Sequence, residues 1–430
     1  MEKSEDKISF RKKKETNYLE KLGPGIISGA ADDDPSGIAT YSQAGAQYGT
    51  GLLWLAAWTF PLMAIVQEMC SRIALVTGNG LASNIKKTYS KKILYICTGL
   101  LFFANTLNIG ADLGAIAKAI QLIIPNASFV FSIIFMAVVG LIVQIYVPYK
   151  KFAKIMKWMV VSLFAYIITG FLIDMNWSTL FKHAFIPSIS FDKATILMIT
   201  GILGTTISPY LFFWQTSQEV EEEIAGGKTT AHLRRGTNHL EIKEMRVDTW
   251  TGVFLSNLVM FFIIAVCANT LFSSGITNIE TASDAARALE PFAGPWAKYL
   301  FAFGIIGTGM LAIPVLAGST AYAISESFNY KEGLYRKLNE ARVFYGIIIF
   351  SVIIGIFINF IGIDPIKALL YSAIANGLVA PVILICIVHI SGNEKIMGRH
   401  KNSKVMNIIG WIIVSLMSLT AMAAIWSLIK

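Results

Sequence analysis

The sequence predicts an all-α polytopic membrane protein, and three observations carry that reading. Hydrophobic residues make up 55% of the 430-residue chain and charged residues only 15%, where a soluble domain carries nearer 25% charge. Mean hydropathy is +0.60. The apolar stretches are long and lack period-two alternation, which indicates spanning helices rather than a barrel. The third observation is that Lys and Arg gather in alternate loops, as orientation in a membrane requires.

Taken in order, residues 1–21 are a polar tail around Arg11-Lys12-Lys13-Lys14. With no short apolar core and cleavage site, the tail is expected to be cytoplasmic and not a signal peptide. The first segment, 22–48, has Ala30-Ala31-Asp32-Asp33-Asp34-Pro35-Ser36-Gly37 at its middle. Each half is too short to cross a bilayer, which takes roughly 20 helical residues, but together they suffice. The stretch therefore predicts one spanning helix broken at its centre. Charge at that depth costs about 2.5–3.5 kcal/mol per Asp, which marks the break as functional. The competing reading is an exposed loop with Asp-Pro starting a single helix. That helix would have only about 14 residues before Gly51 and no full span.

The second segment, 51–76, is interrupted by Pro61 and carries Gln67, Glu68 and Arg72 near its end. A connection with Lys86, Lys87, Lys91 and Lys92 leads to the third, 93–124, which holds Asn105, Asn108, Asp112 and Lys118. The fourth is 129–147 and the fifth 156–173, joined by a loop with Lys150, Lys151, Lys154 and Lys157. After a connection poor in basic residues, the sixth, 194–218, is interrupted by Gly204-Thr205-Thr206-Ile207-Ser208-Pro209. Residues 219–248 form the most charged loop. The remaining segments are 249–272, 295–324, 344–361, 366–389 and 408–429.

Eleven spans with a cytoplasmic N-terminus and the C-terminus outside place about 28 of the 36 Lys and Arg residues on the cytoplasmic side. That distribution accounts for the net charge of +9 without a nucleic-acid partner. Cys70, Cys97, Cys267 and Cys386 fall in apolar runs and read as packed thiols. No phosphate-binding Gly-rich loop, nucleophile elbow or pair of catalytic carboxylates is present, so the chain is not expected to be an enzyme, and no cofactor is implied.

Segments one and six are both interrupted near mid-span and lie an odd number of segments apart. Their halves therefore run in opposite directions, which is the sequence signature of an inverted-repeat transporter with its site at the breaks. The division that follows is a tail at 1–21, a first five-helix repeat at 22–175, an inverted second repeat at 176–390, and a loop with the eleventh helix at 391–430. The only partners expected are a small solute, the bilayer of the cell membrane, and no obligate protein.

Asp34-Pro35-Ser36-Gly37 resembles the Asp-Pro-Gly-Asn motif of the NRAMP divalent-metal transporters. Gly204-Thr205-Thr206-Ile207-Ser208-Pro209-Tyr210 resembles their Gly-Ala-Thr-Val-Met-Pro-His. In Gly110-Ala111-Asp112-Leu113, Asp112 stands where the family has an Asp followed three residues later by Glu. The resemblance runs over segments one to ten and implies the 5+5 fold of the leucine-transporter type plus one extra helix. It aligns Asp34 with the family's metal-binding Asp. The departures are specific: Gly37 replaces the ligand Asn, Ser208 the Met, Tyr210 the His and Ala115 the Glu. In losing the soft ligand the chain is similar to the NRAMP-related magnesium transporters.

The chemistry points the same way. A thioether favours softer transition metals, whereas carboxylate, hydroxyl, carbonyl and water suit Mg²⁺ and Mn²⁺. Mg²⁺ keeps several waters and takes one or two carboxylates. The expected ion site is Asp34 with the Ala31 and Thr205 carbonyls, room at Gly37 for water, and the Thr206 and Ser208 hydroxyls. Those hydroxyls could equally bond a carbonyl freed near the Pro break. Asp33, Asp112, Asn376 and Tyr210 are candidates for outer contacts or an ion path. For Asp112 the alternative is a structural partnership with Lys118 or Asn108. Asp32 and Asp33 could form an acidic mouth. The expected function is import of divalent cations, Mg²⁺ and/or Mn²⁺, by alternating access with weak or no proton coupling. The alternatives are a proton-coupled Mn²⁺/Fe²⁺ symporter, or an amino-acid or small-solute transporter on the same fold.

Overall fold

A computed structural model describes residues 23–147, 151 and 164–429. The first segment is two helices, α1 (Pro24–Asp32) and α2 (Pro35–Tyr48), parted by Asp33 and Asp34. Pro35 lacks an N–H and takes the first helical position, where none is needed. Asp34 precedes it as N-cap and accepts from the Gly37 N–H at 2.7 Å. The exposed-loop alternative fails on burial, since Asp32, Asp33 and Asp34 are 1%, 0% and 1% exposed.

The chain continues as α3 (Trp54–Thr77), α4 (Leu81–Thr88), α5 (Lys91–Ile123) and α6 (Phe129–Tyr146). The interruption expected at Pro61 does not occur: α3 runs straight through it. Packed neighbours let a buried membrane helix carry a proline. α4 is a short helix where only a connection was expected. The Glu326 carboxylate accepts from the Ser83 N–H in its first turn at 2.6 Å, where a helix end favours negative charge. α7 (Phe164–Leu172) is the described part of the fifth segment. The rest of that segment and the basic loop before it, apart from Lys151, lie outside the described residues, as does the tail 1–21.

α8 (Trp177–Phe185) occupies the connection to α9 (Lys193–Thr206) and α10 (Pro209–Ala225), the two halves of the sixth segment. The loop expected at 219–248 is largely helical. α10 extends to Ala225 and buries Glu219, Glu221 and Glu223, and α11 (His239–Thr270) starts ten residues early. Asn238 caps α11 by accepting from Leu240 and Glu241 N–H groups at 2.9 Å, and Glu241 returns the bond. This reciprocal cap explains the early start. α12 (Ala297–Phe328), α13 (Arg342–Ile358), α14 (Pro365–Gly392) and α15 (Lys404–Ile429) complete the chain. Among the described residues there is no strand, and eight helices are long and apolar enough to cross a membrane. The four cysteines are buried free thiols.

α1 and α2 pack along α11, α10 packs against α3 and α12, and α9 lies on α14. α5 packs on α12, and α15 lies outside against α14. Glycines allow the tightest crossings. A Cβ on Gly29 would lie 2.3 Å from the Gly252 backbone, and one on Gly204 would lie 2.1 Å from the Ala373 carbonyl oxygen. Close backbone approach of this kind is how membrane helices gain packing without a hydrophobic drive between them. Asp248 of α11 fixes the start of α1, accepting from the Gly23 and Gly25 N–H groups at 2.8 and 2.7 Å. Phe131 and Phe135 on α6 and Trp426 on α15 are turned outward, as lipid-facing side chains are.

Candidate metal site

The two helix breaks face each other at the centre of the bundle. The Tyr210 hydroxyl in the first turn of α10 donates to the Ala31 carbonyl in the last turn of α1 at 2.8 Å. Across the other pair of halves, Thr205 Oγ1 donates to the Tyr41 hydroxyl at 3.0 Å.

Asp34 is the hub of this junction. Its Oδ1 accepts from Ser36 Oγ at 2.6 Å and from the Gly37 N–H at 2.7 Å. Its Oδ2 accepts from Asn108 Nδ2 of α5 at 2.8 Å, with the Tyr210 hydroxyl 3.5 Å away. Donors on both oxygens are the complement an acceptor-only carboxylate takes. Gly37 enters this arrangement through its N–H. A Cβ there would sit 3.0 Å from the Asp32 carbonyl oxygen and 3.5 Å from Asp34 Oδ1, so the junction is packed closely enough at this position that a side chain would crowd the break.

The second break offers carbonyls with their hydroxyls folded back on them. Ser208 is the N-cap residue of α10 but makes no side-chain cap. Its Oγ donates instead to the Gly204 and Thr205 carbonyls at 2.6 and 2.5 Å. Thr206 Oγ1 donates to the Ile202 carbonyl at 2.8 Å. In this conformation both hydroxyls therefore serve their own helix, the local role short polar side chains take where a ladder is interrupted.

Asn376 lies on α14 beside Gly377, whose backbone meets Gly204 at the end of α9. It is fully buried, and neither atom of its amide has a partner. Asp112 is also fully buried with both oxygens unpartnered. The partnership with Lys118 or Asn108 is thus corrected. Lys118 is six residues on, about 240° round the helix, and lies over the Phe129 ring at 5.5 Å. Asn108 does share the Asp112 face at i, i+4, but its Nδ2 donates to Asp34 and makes no bond to Asp112. The acidic mouth is corrected as well. Asp32 accepts from Ser256 Oγ at 2.7 Å, Asp33 has no partner on either oxygen, and both are buried inside the bundle.

Asn108, Ser36, Tyr41 and Ser256 are contacts that motif reading did not select. The i, i+4 spacing of Asn108 and Asp112 is the signal that could have found the first.

Access is closed on both sides. Asp34, Thr205, Thr206, Ser208, Tyr210 and Asn376 are at most 2% exposed. Beyond α1, Ser28 donates to Gln215, which in turn donates to Ser71 at 2.8 Å and Glu219 at 3.0 Å. Beyond α2, Gln43 binds the backbone of Thr277 and Ile279 at 3.1 and 2.9 Å. Among the described residues no three His, Cys, Asp or Glu side chains are placed to hold one ion. The side chains bonded at the junction are the Asp34 carboxylate and neutral hydroxyls and amides.

Residues 25–427 match the family model described as natural resistance-associated macrophage protein-like, Nramp. Two relatives are each named divalent metal cation transporter MntH. The protein from Caldanaerobacter subterraneus subsp. tengcongensis is 25% identical over 93% of this chain and 90% of its own. That from Klebsiella pneumoniae is 22% identical over 92% and 91%. Among solved structures, the Eremococcus coleocola manganese transporter superposes with a TM-score of 0.74 at 17% identity, covering 95% of this chain and 87% of its own. Mhp1, a nucleobase-cation-symport-1 family transporter, gives 0.58 at 14% identity over 95% and 92%. The structural likenesses establish a shared fold.

Proposed function

The chain belongs to the Nramp family, and from that premise we propose that it imports divalent metal cations, Mg²⁺ and/or Mn²⁺, by alternating access and without obligatory proton movement. The observation that carries this reading is the donor set around Asp34. Asp34 is buried at the junction and shares the Tyr210 hydroxyl with the Ala31 carbonyl. In this reading the Thr205 carbonyl and the Thr206 and Ser208 hydroxyls, now bonded within their own helix, turn to complete the set around the ion. Hard oxygen donors suit Mg²⁺ and Mn²⁺ better than softer ions. The protein is a membrane transporter and not an enzyme, and the cation is its substrate rather than a cofactor. We place it in the cell membrane as eleven spans, two inverted five-helix repeats at 22–175 and 176–390 and an added helix, with the N-terminus cytoplasmic and the C-terminus outside.

Transport in this reading is a rocking of the broken segments against the rest of the bundle. The Ser28–Gln215 contact would open to release the ion on the cytoplasmic side, and the Gln43 contacts would open to admit it from outside. A second reading, proton-coupled symport of Mn²⁺ or Fe²⁺, is favoured by Asp33 and Asp112, whose unpartnered carboxyls could carry protons. Absence of His at position 210 and of Glu at 115 weighs against it.

Selectivity gives a direct check. Ser208→Met places a thioether at the second break and should raise Mn²⁺ or Cd²⁺ uptake relative to Mg²⁺ by at least about tenfold, equivalent to about 1.4 kcal/mol. Competition uptake into proteoliposomes measures the ratio. An unchanged ratio would remove position 208 from the ion's surroundings.

A further inference from the structure

A carrier that moves its ion without a coupled partner must make half of each cycle with no ion aboard. The return passes through an occluded arrangement in which Asp34 and the free carbonyls of both breaks are cut off from water. Leaving such groups buried and unmatched is costly, so an ion-free return needs something else to satisfy them.

The site contains groups that do this. The Tyr210 hydroxyl sits 2.8 Å from the Ala31 carbonyl oxygen and 3.5 Å from Asp34 Oδ2. These are two of the oxygens that the donor set assigns to the cation. Asn108 Nδ2 adds a donor to the same Oδ2 at 2.8 Å, and Ser208 Oγ covers the Thr205 carbonyl at 2.5 Å. All four side chains are buried to within 1%. Tyr210 belongs to α10 and Ala31 to α1, so the bond ties together the two broken segments across the ion's position. A cation on the Ala31 carbonyl and Asp34 has to displace this hydroxyl.

We propose that Tyr210 is an internal surrogate for the ion, its hydroxyl satisfying the Ala31 carbonyl while the Asn108 amide satisfies Asp34, so that the ion-free carrier can occlude and return. Tyr210 is a positioning residue in this role: it acts in the step that carries nothing. The inference rests on the carrier reading above and adds to it the half-cycle that sets the net rate. It also assigns a use to the replacement of the family's His by Tyr at this position, since a phenol reaches the carbonyl as a neutral donor.

The test separates net flux from exchange. Purified wild type and Tyr210→Phe are placed in liposomes, and entry of Mn²⁺ is followed in two modes. One uses metal-free vesicles, where every turnover needs an ion-free return. The other uses vesicles preloaded with Mn²⁺, where labelled ions exchange and no such return is needed. Loss of this one buried hydrogen bond, which leaves the Ala31 carbonyl unsatisfied in the ion-free state, should slow net uptake by about tenfold, while exchange changes by less than about twofold. Tyr210→His, which keeps a ring donor, should recover part of the net rate. Equal losses in both modes would mean a merely structural tyrosine and would overturn the proposal, as would no change in either. If Tyr210→Phe does not assemble, Tyr210→His provides the comparison: net uptake slowed with exchange held supports the proposal, and equal losses in both modes overturn it. Wild type with no Mn²⁺ flux in either mode would instead overturn the carrier reading itself.

Discussion

Asp34→Ala is expected to abolish divalent-cation uptake if the proposed site is right, lowering the initial rate at least about hundredfold, because even residues that only support a metal ligand are worth about 10–100-fold. Asp34 meets Ser36, Gly37, Asn108 and Tyr210 at once, so alanine also removes the cap of α2. The loss of a capping bond costs about 1 kcal/mol, which lowers stability without explaining a complete loss of flux. Asp34→Asn separates the two effects. Its amide oxygen still accepts from Gly37 and keeps the cap, but its charge is gone. Uptake of Mg²⁺ and Mn²⁺ should be lost in both variants, and thermal stability in detergent lowered only in the alanine variant. Full transport by Asp34→Asn would show that the carboxylate is structural.

The second large effect is on assembly. Gly204→Val is expected to cost at least about 3 kcal/mol, the upper range for overpacking a filled core. The reason is that its Cβ would run into the backbone of α14, 2.1 Å from the Ala373 oxygen and 2.4 Å from the Gly377 nitrogen. Neither neighbour can turn aside as a side chain would, and the clash lies beside the second break. Gly304→Val is the control, since nothing lies within 4 Å of a Cβ there. Thermal midpoints from fluorescence-detected size exclusion should fall for the first variant and hold for the second. Equal midpoints would mean that α9 and α14 separate without cost.

Both breaks were legible in the sequence because proline and charge inside an apolar run admit few readings. At 30–37 and 204–209 the same pattern, a kink residue with polar neighbours and proline at the restart, occurs twice, and the structure places both breaks at the centre of the bundle. Proline alone misled at Pro61, where no charge accompanies it and α3 stays continuous. Charge alone misled at 219–248. Glu221 looks solvated by composition, yet it accepts from the Tyr322 hydroxyl at 2.6 Å and the Leu334 N–H at 2.8 Å, contacts 101 and 113 residues away that no local pattern encodes. The Asn238–Glu241 cap was readable but lay inside a stretch already classed as loop.

Within the site, residue types were legible and their partners were not. Motif position selects Asp34, and burial confirms that it lies at a closed junction. Which donors meet it depends on how α5 and α10 approach, so Asn108 and Tyr210 became visible as its neighbours only in three dimensions. The hydroxyls of Thr206 and Ser208 were chemically suitable ligands, but the freed carbonyls of their own helix lie nearer. An ion entering this junction would have to turn them.

The measurement that tests the account most directly is Mg²⁺ entry into liposomes containing the purified protein and a pH-sensitive dye. Mg²⁺ should enter, saturably and in competition with Mn²⁺, with no acidification of the interior and no dependence on an imposed pH gradient. Entry of Mn²⁺ with matching acidification, and no entry of Mg²⁺, would contradict the account: the site would then be a proton-coupled one in which Asp33 or Asp112 completes the relay.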